Sequence, residues 1–369
     1  MYDSIIVGSG IAGSTAARRL AEEGKRNVLV IEKRSHIGGN CYDCMDEHGI
    51  WIHQYGPHIF HTEMKEVYEF FSRFTMWTSF RHEVVAQVGE QLIPVPFNLN
   101  TLPVVFEKDK AEELEKKLTD TYGYGSKVPI MELRKSEDAG IREIADYVYQ
   151  NIFLYYTMKQ WGQKPEEISP EVTGRVPVLI SYDNRYFQDK YQAIPAEGYT
   201  KMAERMLDNP LIRTELNTDF NDVRGSTDYE RLFYTGPIDE FFDFELGELP
   251  YRSLDIVFRR HDRAFYQSGP QINYPENYDF TRSVEYKYYL DEQTAQTIVS
   301  EEYPQAYEAG RNERYYPVPD AKNHELYRRY RRKADGLEKV YFAGRLGDYK
   351  YYNMDEAVKR ALELFEEIR

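Results

Sequence analysis

The first thirteen residues constrain this chain more than any other stretch. Tyr2-Asp3-Ser4-Ile5-Ile6-Val7 is a largely apolar run that enters Gly8-Ser9-Gly10-Ile11-Ala12-Gly13, and Glu32 follows nineteen residues after Gly13. The pattern predicts a strand, a glycine turn, a helix, a second strand over 27–31 and an acidic cap. Gly8 permits the tight turn, Gly10 lets backbone approach a pyrophosphate, and Gly13 lets helix and strand pack closely. The helix would point its N-terminal N–H groups and dipole at the phosphates, while Glu32 can accept hydrogen bonds from a ribose. Three glycines alone also suit a plain strand-to-helix turn. Their place between strand and helix, with the acid on schedule, marks Gly8, Gly10, Ile11, Ala12, Gly13, Glu32 and Lys33 as the candidate dinucleotide contacts.

Composition sets the outer limits. A length of 369 residues predicts two or three domains with ample chain to bury a core. No window resembles a signal peptide or a membrane span, and the first strand begins almost at Met1, so the expected location is cytoplasmic. The formal net charge of −15 argues against nucleic acid or an anionic membrane as partner, since both need a basic field. Any anionic ligand must be held by locally placed arginines. The 33 tyrosines crowd toward the C-terminal half, where phenols can serve as neutral donors. Cys41-Tyr42-Asp43-Cys44 has C-x-x-C spacing, but zinc would need a companion pair and a redox motif would open a helix after a strand. Free thiols and no metal site are the expectation.

Glycines recur in Arg34-Ser35-His36-Ile37-Gly38-Gly39-Asn40, where Gly38 and Gly39 suit a backbone that must approach a ligand closely; Gly39 and Asn40 are candidate cofactor contacts. Tyr55-Gly56-Pro57-His58-Ile59-Phe60-His61-Thr62 is a stiff aromatic loop, with Thr62 predicted to cap a helix over 63–74. Alternation across 83–95 predicts a hairpin turning at Gly89-Glu90. Helical periodicity rules 101–166, and short aromatic β-type runs return over 175–200 and 250–320. A strand over 228–236 is expected to rejoin the first domain. A final strand at Val340-Tyr341-Phe342 then runs through Gly344-Arg345 into a helix over 354–368.

The predicted class is therefore α/β (α+β overall). A discontinuous Rossmann-like domain takes 1–79, 201–245 and 321–369, a helical subdomain 98–170, and an antiparallel sheet domain 80–97, 171–200 and 246–320. A dinucleotide fold opened by the glycine fingerprint, extended by a Gly-Gly loop and closed by a C-terminal strand, glycine and helix resembles the FAD-binding fold of the glutathione-reductase type. FAD is the expected cofactor, with NAD the alternative.

Four further segments name a family. Tyr55-Gly56-Pro57-His58-Ile59-Phe60-His61-Thr62, Tyr156-Thr157-Met158-Lys159-Gln160-Trp161-Gly162, Phe280-Thr281-Arg282 and Gly344-Arg345-Leu346-Gly347 closely resemble bacterial UDP-galactopyranose mutase, in order and along essentially the whole chain. The resemblance implies an isomerase that interconverts UDP-galactopyranose and UDP-galactofuranose by ring contraction. In that family the route is a covalent adduct of the anomeric carbon with N5 of reduced FAD, without net redox change. It implies Arg175 and Arg282 as the arginines that hold the diphosphate, since planar guanidinium matches phosphate oxygens, and Tyr186, Tyr316 and Tyr351 as hydroxyl donors to it. Tyr156 corresponds to a residue that stacks on uracil, Trp161 to one beside the sugar, and Asn98 to a substrate-site asparagine. His58, Arg345, Asn353 and Met354 correspond to positions near the flavin. His58 joins Arg175 and Arg282 as a catalytic candidate, with no general-base role assigned.

Two positions depart from many relatives. Ile152 stands where they carry phenylalanine against uracil: either the aliphatic side chain still covers the base, without aromatic stacking and with weaker uridine affinity, or Phe153 supplies the contact. Asn353 stands where they carry aspartate. The resemblance further implies UDP-galactose as partner, a cellular reductant such as NAD(P)H, compatibility with a homodimer, and a role in making cell-surface glycan. The rival readings are an FAD-dependent oxidase or desaturase, which would leave the arginines and motif tyrosines unexplained, and a non-catalytic nucleotide-sugar-binding flavoprotein.

Overall fold

The computed structural model describes residues 2–168 and 176–368. The chain forms two units. Met1–Phe80, Asp189–Arg252 and Arg314–Arg369 make the first, and Arg81–Gln188 with Ser253–Glu313 make the second.

The first unit is built on a five-stranded parallel sheet. Its strand order is Ile212–Glu215, Val28–Ile31, Tyr2–Val7, Tyr229–Tyr234 and Val340–Phe342. Every side chain of Val28–Ile31 is buried, as are Ile5 and Ile6, which is the pattern of a strand covered on both faces. The helix Ile11–Glu22 starts directly at Gly10 and lays Ala16, Ala17 and Leu20 on this sheet. The C-terminal helix Met354–Ile368 adds Ala361, Leu364 and Phe365 to the same core. Full burial of each large apolar side chain contributes roughly 1.5–3 kcal/mol. The expected strands at 228–236 and 340–342 are both present, and both pair in parallel.

One helix boundary differs from expectation. Thr62 ends the strand Phe60–Thr62, which pairs with Tyr191–Ala193, and its Oγ1 accepts a hydrogen bond from Met64 N at 3.0 Å. The helix therefore starts later, at Lys65, and ends at Phe71. The same pairing puts 189–200, grouped with the sheet domain in the sequence, into the first unit.

In the second unit the hairpin Val84–Val88 and Gln91–Val95 turns at Gly89, whose φ is +58°. Its sheet continues through Gln271–Asn273, Arg282–Glu285, Thr297–Ala306 and Tyr251–His261. Gln271–Asn273 pairs with Val84–Val88 in parallel, so the sheet is mixed rather than antiparallel throughout. The helices Lys108–Tyr122 and Ala139–Val148 share a core with the hairpin. Asp138 starts the second of these by accepting from Gly140 N and Ile141 N, satisfying two otherwise orphaned amides. A π-helical turn, Tyr149–Phe153, leads into Leu154–Trp161. Gly162, at φ +71°, ends that helix with its N–H on Met158 O, so the glycine of Lys-Gln-Trp-Gly is the left-handed terminator.

Candidate active site

In the first unit the glycines make a backbone cradle. Gly8 sits at φ +98°, and a Cβ on it would collide with Thr235 Oγ1; one on Gly13 would overlap the Gly8 carbonyl oxygen. Gly10 and Gly38 bridge in parallel, Gly38 N donates to Ser9 O at 3.1 Å, and a Cβ on Gly39 would lie 2.8 Å from Gly10 Cα. Two glycine segments thus meet backbone to backbone at a helix N-terminus. Glu32 is buried beside them. Its Oε2 accepts from Ser9 N (2.9 Å) and Ser9 Oγ (2.8 Å), and Oε1 accepts from Arg34 N (3.0 Å). A carboxylate has about four acceptor sites, so these bonds orient Glu32 and leave capacity for ribose hydroxyls. Arg34 donates to Asn40 Oδ1 at 3.0 Å and lies over the Tyr55 ring. Ile11 and Ala12 are buried on the helix, and Lys33 is exposed. A cradle that a single Cβ would fill, beside an oriented carboxylate, fits a dinucleotide.

The C-terminal turn completes this half. Gly344, at φ +88°, packs close enough that its Cβ would touch that of Ala12 at 3.4 Å. Arg345 donates to Tyr315 O (3.2 Å) and Tyr352 O (2.7 Å), and its guanidinium lies 5.3 Å from the ring centroids of both Tyr316 and Tyr351. Those two rings meet edge to face at 5.0 Å. One arginine therefore holds both tyrosines. Asn353 precedes the C-terminal helix and donates its N–H to Glu356 Oε2 at 2.8 Å. Met354 Sδ lies 3.6 Å from Cys41 Sγ. Burial pushes the Cys41 thiol up to about 12, which keeps it protonated.

His58 is positioned by a second histidine. Its N–H donates to His53 Nδ1 at 3.1 Å, and its own Nδ1 faces Gly56 O at 2.8 Å. A carbonyl only accepts, so Nδ1 carries the proton. Burial draws the His53 pKa down to about 3, keeping the accepting Nδ1 available.

In the second unit Arg282 opens the strand Arg282–Glu285, directly opposite Glu302. Arg282 Nε donates to Glu302 Oε2 at 2.7 Å. The glutamate side chain is 1% exposed and the arginine 21%, so a buried carboxylate sets the guanidinium plane. Tyr156 and Trp161 lie half-buried on Leu154–Trp161, with Lys159 between them. Lys159 Nζ contacts the carbonyls of Tyr274 and Tyr278, both at 2.6 Å. Tyr186 N donates to His82 O at 2.8 Å, and its ring stands edge-on to Phe187.

The comparisons with known proteins follow this geometry. A sequence model described as UDP-galactopyranose mutase matches residues 151–351, and one described as NAD(P)-binding Rossmann-like domain matches residues 6–74. A dTDP-fucopyranose mutase from Escherichia coli is 34% identical over 98% of this chain and 97% of its own. A probable UDP-galactopyranose mutase from Klebsiella pneumoniae is 34% identical over 98% of this chain and 94% of its own. This chain belongs to the UDP-galactopyranose mutase family. The fold agrees: the crystal structure of a reduced UDP-galactopyranose mutase superposes with a TM-score of 0.75 over 100% of this chain and 95% of that one, at 16% identity.

The cradle residues come together in the first unit, and Arg345 gathers Tyr316 and Tyr351. Asn98 is fully buried and engaged locally: its Nδ2 donates to Pro96 O, Asp183 O and Asn184 Oδ1, and its Oδ1 accepts from Asn100 N. Phe153 and Ile152 lie in the helical core, with Phe153 against Tyr149. Arg175 lies outside the described residues. Three supporting residues carry no signal in the sequence: in the first unit Ser9, which fixes Glu32, and His53, which fixes His58; in the second Glu302, which fixes Arg282. Among the described residues no cluster of three or more His, Cys, Asp or Glu is arranged for a metal, and no helix is long and apolar enough to cross a membrane.

Proposed function

We propose that this chain is a UDP-galactopyranose mutase that interconverts the pyranose and furanose forms of UDP-galactose with reduced FAD bound in the glycine cradle. The observation that carries the reading is the full-length kinship to curated mutases, which spans the cradle, the Arg282 strand and the Arg345 turn together. When bound and reduced, FAD supplies a nucleophilic nitrogen for the anomeric carbon, so isomerisation needs no net electron transfer.

The chain's own residues bind and orient. Gly8, Gly10, Gly13 and Gly39 bring backbone to the pyrophosphate, and Glu32 takes a ribose. Arg282 and Arg175 hold the diphosphate, whose charge grows as the glycosidic bond breaks. A guanidinium already oriented by Glu302 meets that charge without reorganising. Tyr316, Tyr351 and Tyr186 donate neutral hydrogen bonds to the same group, Tyr156 faces the base, and Trp161 the sugar. Asn98 acts through the loop it locks, and Phe153 through the helical core in which it packs against Tyr149. His58, Asn353 and Met354 serve the flavin side of the site. The protein works in the cytoplasm as a component of surface-glycan synthesis, with a reductant such as NAD(P)H and a homodimeric assembly.

A second substrate is specifically favoured by the E. coli relative, whose name gives dTDP-fucopyranose. The test uses flavin-loaded protein reduced with dithionite and incubated with UDP-galactofuranose or, separately, dTDP-fucopyranose. Chromatography then resolves ring forms. Conversion of the UDP-sugar without stoichiometric loss of reductant is expected. Conversion of the dTDP-sugar alone reassigns the substrate, and conversion of neither overturns the reading.

A further inference from the structure

Lys159 enters none of the roles above, yet its ammonium meets three main-chain carbonyls. Its Nζ lies 2.6 Å from Tyr274 O, 2.6 Å from Tyr278 O and 3.3 Å from Phe280 O. All three carbonyls belong to the turn joining Gln271–Asn273 to Arg282–Glu285. An ammonium has three N–H donors and no acceptor, so the turn offers it a matching set. The same turn is closed by Tyr274 N on Thr281 O (2.8 Å) and tied to the neighbouring strand by Thr281 N on Glu302 O (2.9 Å). The rings of Tyr274, Tyr278 and Phe280 pack together at its side, with centroids 4.8–5.0 Å apart.

Arg282 is the next residue after this turn. Tyr156 lies three positions before Lys159 on its helix, and Trp161 two positions after. Apolar packing alone could hold helix to turn, but it is non-directional. Three carbonyls around one charged nitrogen fix a direction and a distance. Burial pulls the Lys159 pKa down to about 8 against the opposing pull of Asp279 and Glu276, which leaves the ammonium as the main form at neutral pH.

We propose that Lys159 is a positioning residue for nucleotide-diphosphate binding: through the carbonyls of 274, 278 and 280 it locks the Tyr156–Trp161 helix to the turn that delivers Arg282. The proposal rests on the assignment of Arg282 to the diphosphate.

UDP itself is the probe. It is titrated calorimetrically into flavin-loaded wild type, Lys159→Met, Lys159→Gln and Arg282→Met, and the steady-state constants are measured alongside. Lys159→Met should retain FAD, bind UDP about tenfold more weakly and raise KM by a similar factor, with kcat changed by less than about threefold, because uniform binding is lost and no transition-state contact is removed. Lys159→Gln, which keeps two donors, should recover part of the UDP affinity. UDP affinity within about twofold of wild type in folded Lys159→Met, alongside a clear loss in Arg282→Met, overturns the proposal. So does a loss confined to kcat. Unchanged affinity in both variants overturns the Arg282 assignment and the proposal with it. Should the methionine variant fail to fold, the glutamine variant decides by the same criteria.

Discussion

Arg345→Met removes a fork that the structure uses twice. The guanidinium donates to Tyr315 O at 3.2 Å and to Tyr352 O at 2.7 Å. A hydrogen bond from a charged donor contributes about 1.5–3 kcal/mol. The longer bond belongs at the low end, so the pair together amounts to about 3–4 kcal/mol, and methionine replaces most of the volume without replacing either bond. For a domain of roughly 150–250 residues, each kcal/mol shifts the thermal midpoint by about 2–4 °C, so the first unit should melt roughly 6–16 °C lower. Stability alone does not test the role. The same guanidinium sits 5.3 Å from the rings of both Tyr316 and Tyr351. If Arg345 serves UDP by holding those tyrosines, removing their hydroxyls first takes away most of what it can contribute. The assay is UDP affinity in wild type, Arg345→Met, Tyr316→Phe/Tyr351→Phe and the triple variant. A coupling of about 1–2 kcal/mol is expected between groups in contact. Losses that add within about 0.5 kcal/mol refute the reasoning.

Gly39→Ala places a Cβ 2.8 Å from Gly10 Cα at a φ of +58°. The strain of about 1–2 kcal/mol and the displaced loop should strip flavin, so a purified variant with full flavin absorbance contradicts the cradle. Glu302→Gln keeps the acceptor to Arg282 Nε but removes its charge, for a fall in kcat/KM of about fivefold; Glu302→Ala should lose more, and wild-type kinetics in the alanine variant would show that the carboxylate does not set the guanidinium. His53 is buried neutral with a pKa near 3, so below about pH 6.5 the unfolded chain binds a proton that the folded chain refuses. Stability should fall with pH by up to about 1.4 kcal/mol per unit, and His53→Asn should flatten that slope in urea titrations between about pH 5 and 7.

What could be read in the sequence was local. The fingerprint turn, the 84–95 hairpin and the C-terminal strand and helix each announce themselves through periodicity and turn chemistry within a few residues. The helix expected over 63–74 failed because a distant partner decided it: Thr62 pairs with Tyr191 and stays extended, so its hydroxyl turns the chain two residues later instead of capping there. The parallel pairing of Gln271–Asn273 with Val84–Val88 was equally out of reach, since three residues carry no period and the partner lies far away in the chain. Tyr149–Phe153 has no sequence signal at all, because a π-turn differs from an α-turn only in which carbonyl each amide finds.

The site divides along the same line. Residues proposed to meet a ligand stand out by type within a motif: glycines for close approach, Glu32 for ribose, Arg282 for phosphate. Residues that hold those in place were not. Glu301 and Glu302 stand side by side, and only strand register says that Glu302 faces Arg282. Lys159 opens the Lys-Gln-Trp-Gly motif, yet its three acceptors are main-chain carbonyls, which every residue possesses and none advertises. Arg345 likewise works through the carbonyls of Tyr315 and Tyr352. Asn98 shows the converse, since an asparagine that locks a loop has the same one-letter signature as one that touches substrate. Backbone acceptors are the commonest partners of buried polar side chains, so the supporting layer of such a site is the part that sequence is physically least able to record. Substitutions at Lys159 and Glu302 should accordingly disturb UDP binding with no ligand contact of their own to lose.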